Sequence, residues 1–226
     1  MKNHPAAKRS FGKTVNFLFG LTMFMAFALP AHTQMKSEGP FCGKWINSDA
    51  SNGGKLKWAN LPSARCDEDG AFSNTAQITG YNFTEYLRIN NFNFSIPSNA
   101  NISGIEVVVI RKADTPNSLT DRTVRLTKGG TPTGRNLAAP GLWENSLTAV
   151  FYGGETEAWG TSWTPADLNS QSFGVVLDVE FGDTEGSPQV DEVLVTVHFS
   201  TPDKRRATSN VDRSVSKYTC RQIGGS

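Results

Sequence analysis

The stretch ISGIEVVVIRK, residues 102–112, decides the fold class. Its residues alternate in an extended chain, so that Ile105, Val107 and Val109 face one side. The opposite side is also partly apolar, with Val108 at its centre. An alternation of this kind is typical of a β-strand, and the apolar middle predicts burial on both faces.

Similar strand patterns recur on both sides of this stretch, separated by turn formers such as those of residues 115–121. They cover residues 87–96, 122–130, 146–154, 172–183 and 190–200. The only helical signal is a single turn that begins with Thr164 as N-cap and Pro165 in the first position. We therefore predict an all-β protein, an antiparallel β-sandwich with a jelly-roll-like arrangement and a less regular N-terminal segment.

The chain divides into four parts by composition. Residues 1–33 combine basic residues, a short apolar run and small residues, which predicts a signal peptide; an uncleaved anchor is the alternative. Residues 34–84 form the less regular segment, which we expect to belong to the sandwich, and residues 85–202 form its core. The composition of residues 203–226 predicts a basic, flexible tail.

The charge of the body argues against nucleic acid as a partner. Residues 34–202 carry 12 Lys and Arg against 19 Asp and Glu, a net charge of −7. Recognition of nucleic acid requires a basic face. With the signal peptide removed, no membrane partner is expected, and the protein is predicted to be secreted, or extracellular.

Three cysteines in a secreted chain suggest one disulfide and a third cysteine outside it. Cys42 and Cys66 lie in a segment rich in Gly, Asn and Ser, where a cross-link contributes most, so we predict that they pair. Cys220, in the tail, is then free or bonded to another chain.

A candidate site lies in residues 152–177, where acids stand beside tryptophans. Four aromatic residues there and nearby are candidates for ligand binding by ring stacking: Trp143, Tyr152, Trp159 and Trp163. The alternative is that the tryptophans close one end of the sandwich. Paired carboxylates for glycoside cleavage would come from five acids: Glu155, Glu157, Asp167, Asp178 and Glu180. No catalytic residue is assigned, because the sequence shows no apolar pocket that would raise the pKa of one of them.

Other motifs are weak. The acidic turn at residues 67–70 lacks the alternation of a calcium loop, and the histidines are scattered, so no metal and no other cofactor is predicted. Asn82, Asn93 and Asn101 each begin an Asn-x-Ser/Thr triplet, which is a glycosylation site in a eukaryotic secretory pathway.

Several of these motifs together resemble a known module. They are the pattern around Trp58 to Gly70, the string FSIP followed by ISGIEV, and the string YGG, WG, TPADLN, FGV. The combination resembles a β-sandwich module of phage tail and virion structural proteins and of large secreted bacterial surface proteins, over residues 58–199. The resemblance implies a structural or binding module without known catalytic residues.

We therefore expect a secreted structural or adhesive module that is not an enzyme and that contacts a protein or glycan at a cell surface. Self-association is a further expectation. The alternative is an extracellular domain that binds or cleaves carbohydrate.

Overall fold

The computed structural model describes residues 33–64, 66, 71–80, 82–182 and 184–202. The predicted signal peptide, except Thr33, lies outside the described residues. The same holds for the basic tail with Cys220 and for the acidic turn at residues 67–70.

Within the described residues the chain forms short 3₁₀ turns at Ala50–Asn52 and Leu61–Ala64, one α-helical turn and ten strands. The helical turn is α1 (Pro165–Leu168). The strands are β1 (Thr33–Cys42), β2 (Trp45–Asp49), β3 (Ser73–Asn74), β4 (Tyr86–Asn90), β5 (Asn101–Ala113), β6 (Leu119–Lys128), β7 (Thr131–Thr133), β8 (Thr148–Gly153), β9 (Gly174–Phe181) and β10 (Pro188–Pro202).

The strands form two antiparallel sheets. Sheet A has the order β1-β10-β5-β8, with the short β3 paired to β10. Sheet B has the order β2-β4-β9-β6-β7. The prediction of an all-β antiparallel sandwich is confirmed, whereas its jelly-roll character stays a prediction.

The core lies between the inward faces of the two sheets, as the alternation predicts. The buried apolar residues of sheet A include Ile105, Val107, Val109, Val193, Val195 and Val197. Those of sheet B include Leu87, Ile89, Val124, Leu126, Val175, Leu177 and Val179.

The N-terminal segment contributes to both sheets, since β1 belongs to sheet A and β2 to sheet B. Cys42, at the end of β1, forms the predicted disulfide with Cys66. Among the described residues, no helix has the length and apolar character that crossing a membrane requires.

The strand predicted over residues 87–96 is wrong in its second half. β4 ends at Asn90, and Asn91 and Asn93 adopt left-handed conformations with φ of 60° and 63°. Asparagine tolerates this conformation better than most residues, because its short side chain bonds locally. Phe92 and Phe94 stay buried, so apolar alternation persists without a regular strand.

Candidate interaction surface

The four aromatic residues predicted to bind a ligand are all buried. Their exposed fractions are 2% for Trp143, 3% for Tyr152, 0% for Trp159 and 7% for Trp163. Stacking on a sugar requires an open ring face, which none of the four provides. Their positions support the alternative in which the tryptophans close one end of the sandwich.

Trp159 and Trp163 are fixed by hydrogen bonds within the loop between β8 and α1 and to sheet A. Trp159 Nε1 donates to the Ile105 carbonyl at 2.8 Å, and Trp163 Nε1 donates to the Ala158 carbonyl at 3.0 Å. The ring of Trp163 packs edge-on against Phe173, with 5.6 Å between centroids. Both tryptophans thus satisfy their polar atoms internally, as buried tryptophans do.

Trp143 and Tyr152 meet at a buried carboxylate that the sequence did not single out. Asp121 accepts from Trp143 Nε1 and from the Tyr152 hydroxyl, both at 2.8 Å, and from the Ala139 amide at 3.0 Å. Arg111 lies 3.4 Å from the same carboxylate and stacks over the Trp143 ring. Burial, and then the charge of Asp121, raise the pKa of Tyr152 above its usual range.

The sequence did contain a signal for this cluster. Arg111 continues the inward alternation of Val107 and Val109 in β5, and Asp121 pairs with the inward-facing Val179. An acid and a base at inward positions of apolar strands predict a buried pair. The turn formers before Asp121, in contrast, predict a loop at this position.

Four of the five acids considered for glycoside cleavage make structural contacts. Asp178 is buried and accepts from Asn52 and Arg122, and Glu157 binds Arg135 and the Trp159 amide. The hydrogen bond from Arg135 is the main cause of a lowered Glu157 pKa. A general acid at neutral pH needs a raised pKa, so this geometry gives no support to a hydrolase.

Asp167 closes the capping box of α1. It also forms an ion pair with Lys128, at 2.9 Å. Glu155 is exposed, and Glu180 lies 4.0 Å from Arg122.

Over the described part of the chain, no group of three His, Cys, Asp or Glu residues lies close enough to hold a metal ion. Asn82, Asn93 and Asn101 are all exposed, as a glycan acceptor must be.

The outward face of sheet A carries neighbouring apolar residues, of which Phe151 is the most exposed. Register places Leu194, Val108 and Phe151 side by side on β10, β5 and β8, and Ile110 beside Ala149 in the next row. We call these five residues the apolar patch. Phe151 is 64% exposed, Ala149 is exposed, and the other three are half-buried.

Polar residues border the apolar patch on sheet A. Glu106 and Thr196 form the row beyond Leu194, and Glu192 faces Ile110. An apolar centre with a polar rim is the usual anatomy of a protein interface.

The outward face of sheet B has a different character. One row consists of Asn47, Arg88, Val176 and Arg125, and Arg88 is held by Asp49 and the Gly130 carbonyl. Trp45, 51% exposed on the edge strand β2, is the large apolar residue of this face.

The fold and surface thus define the class: an antiparallel β-sandwich with one apolar and one polar outward face. Comparisons with protein-family models, with curated proteins and with solved structures give no match. The resemblance to phage and bacterial surface modules therefore stays a prediction.

Proposed function

We propose that this protein is a secreted structural or adhesive module, without enzymatic activity, that binds another protein at a cell surface through the apolar patch. The observation that carries the proposal is Phe151, an aromatic ring 64% exposed in a row with Val108 and Leu194. A contiguous apolar surface with a polar rim is typical of an interaction site.

Two further features support this function. Exposed aromatic side chains are a common source of binding energy in protein interfaces. The Cys42–Cys66 disulfide is compatible with an oxidising, extracellular location, as are the exposed asparagines of the three glycosylation triplets.

Adhesion to the surface of the producing cells tests the proposal. We expect Phe151→Lys to reduce the amount of protein retained on cells by about tenfold or more, because it replaces the most exposed residue of the apolar patch with a charge. Met35→Lys is the matched control, since Met35 is 63% exposed on the opposite edge strand of the same sheet. Equal retention of the Phe151→Lys variant and the wild-type protein would contradict the proposal.

A glycan-binding function is the second candidate, and exposed Trp45 is the observation that favours it. The ring lies beside Asn90 on the polar face of sheet B. An exposed tryptophan ring on a polar face can stack on a sugar. Loss of glycan-array binding in Trp45→Ala, with retention in Phe151→Lys, would favour this function; no binding by the wild-type protein would exclude it for the glycans on the array.

A further inference from the structure

We propose that two copies of this chain associate through β8, which pairs antiparallel with β8 of the second copy and joins the two A sheets into one. The inference rests on the proposed function, because it names the second copy as the protein that binds at the β8 edge of the apolar patch, where Phe151 and Ala149 lie. It depends on three features of β8: its free backbone groups, its composition and its self-complementary pattern.

The free backbone groups follow from the register with β5. The Gly154 amide donates to the Ile105 carbonyl at 3.1 Å, so the N–H of Gly154 points toward β5. Hydrogen-bonded pairs alternate along an antiparallel ladder, so Tyr152 and Val150 also bond to β5. The amides and carbonyls of Ala149 and Phe151 therefore point away from the sheet, where none of the described residues bonds to them.

The composition of β8 leaves this edge unprotected. Natural edge strands avoid intermolecular pairing through charge, proline or short length. β1 contains Lys36, Glu38 and Pro40, and β2 contains Asp49, whereas β3 and β7 have two and three residues. β8, Thr148–Gly153, has six residues, TAVFYG, without charge or proline.

The pattern of β8 fits a copy of itself. With a two-fold axis at Val150, Phe151 of one protomer lies opposite its partner's Ala149, and both residues have outward backbone groups. The large ring then packs beside a small side chain, and β8 has no charged residue that would repel its copy. A two-fold axis perpendicular to the sheet keeps both apolar patches on one side, so they form one continuous apolar surface with the Phe151 and Ala149 side chains of the two copies in contact across the axis.

Sedimentation of the full chain over a range of concentrations tests the inference, in a Cys220→Ser background that removes any contribution of Cys220 and leaves the Cys42–Cys66 disulfide intact. We expect a reversible dimer whose dissociation constant rises about thirtyfold or more in Phe151→Lys, in line with loss of an interface hot spot. Met35→Lys should dimerise like the wild-type protein. Near-ultraviolet circular dichroism establishes that both variants are folded.

Cross-linking tests the register independently. In a Cys220→Ser background, Val150→Cys places two cysteines at the two-fold axis as a pair with Cα atoms about 4.5 Å apart, within reach of a disulfide. Thr148→Cys is the control, because its two copies lie about 14 Å apart in this register. We expect an oxidised dimer only for Val150→Cys.

A wild-type protein that stays monomeric at all concentrations would overturn the inference, and so would a dimer that Phe151→Lys leaves unchanged. If the protein is monomeric yet Phe151→Lys still abolishes adhesion to cells, the second copy is excluded while the proposed function stands. If Phe151→Lys changes neither adhesion nor mass, both proposals fail.

Discussion

Asp121 accepts hydrogen bonds from three donors that different segments bring to it. Trp143 and Ala139 come from the chain between β7 and β8, and Tyr152 comes from β8 itself. A buried carboxylate costs free energy unless such donors and a positive charge compensate it, and Arg111 supplies the charge. The cluster therefore fixes the edge strand β8 to β6 across the interior of the sandwich.

We expect Tyr152→Phe to lower the free energy of unfolding by about 1.5–3 kcal/mol, the usual contribution of a hydrogen bond to a charged group. Asp121→Ala should cost more, about 3–5 kcal/mol, because it leaves buried Arg111 without its carboxylate. Urea denaturation at neutral pH measures both changes.

Tyr86→Phe provides the control for the loss of a tyrosine hydroxyl. Tyr86 is half-buried in β4, and its hydroxyl bonds to none of the described residues, so its substitution should change the free energy of unfolding by less than about 0.5 kcal/mol. Equal effects of Tyr152→Phe and Tyr86→Phe would show that the Asp121 cluster contributes no stability.

At the scale of elements, α1 depends on its capping box more than on its length. Four residues form a helix only where the end groups are satisfied, and Thr164 and Asp167 bond to each other's backbone amides at 2.9 and 3.2 Å. The burial of Asp167 acts to raise its pKa, but bonds from Lys128 and Thr164 outweigh it and hold the pKa below the ordinary 3.8. The carboxylate form is thus the one that stabilises α1.

This lowered pKa predicts a pH-dependent contribution to stability. Since the folded pKa lies below the unfolded one, the contribution is complete above pH 3.8 and is lost as the pH falls through the folded pKa. We expect Asp167→Asn to lower the free energy of unfolding by about 0.5–1 kcal/mol at neutral pH, and by progressively less in acid.

Urea denaturation at neutral and acid pH checks this, with Glu155→Gln, an exposed acid of the preceding loop, as control. The control should change stability by less than about 0.5 kcal/mol at both pH values. A deficit of Asp167→Asn that persists at acid pH would show that the carboxylate charge is not the cause.

The sequence predicted elements better where alternation continued than where polar residues interrupted it. The inward residues Ile105, Val107 and Val109 are buried as expected, and Thr164 caps α1 as expected. Neither local propensity nor alternation shows that the backbone turns left-handed at Asn91 and Asn93 while the neighbouring phenylalanines stay buried.

The prediction about the aromatic residues was limited for a different reason. Whether Trp143 and Tyr152 face solvent depends on Asp121, a residue 22 and 31 positions away that pairs with them only in the folded chain. The exposure of Phe151 could not be predicted either, because the prediction depends on β8 being an edge strand. Sheet order is a long-range property that strand patterns alone do not determine.

At the scale of the molecule, the N-terminal segment passes from sheet A to sheet B and back. β1 pairs with β10, β2 pairs with β4, and β3 returns to β10. The Cys42–Cys66 disulfide closes a loop with a sequence separation of 24 that includes β2, so it restricts the part of the chain that spans both sheets.

Replacement of both cysteines, Cys42→Ser with Cys66→Ser, should therefore lower the free energy of unfolding by roughly 2–4 kcal/mol, because the unfolded chain regains the entropy of the open loop. Thermal or urea denaturation at fixed protein concentration measures the change. Reductant should lower the stability of the wild-type protein to that of the double variant and leave the variant itself unaffected. A wild-type protein as stable with reductant as without it, although its thiols have become reactive, would show that the non-covalent contacts of β1 and β2 already hold the two sheets together.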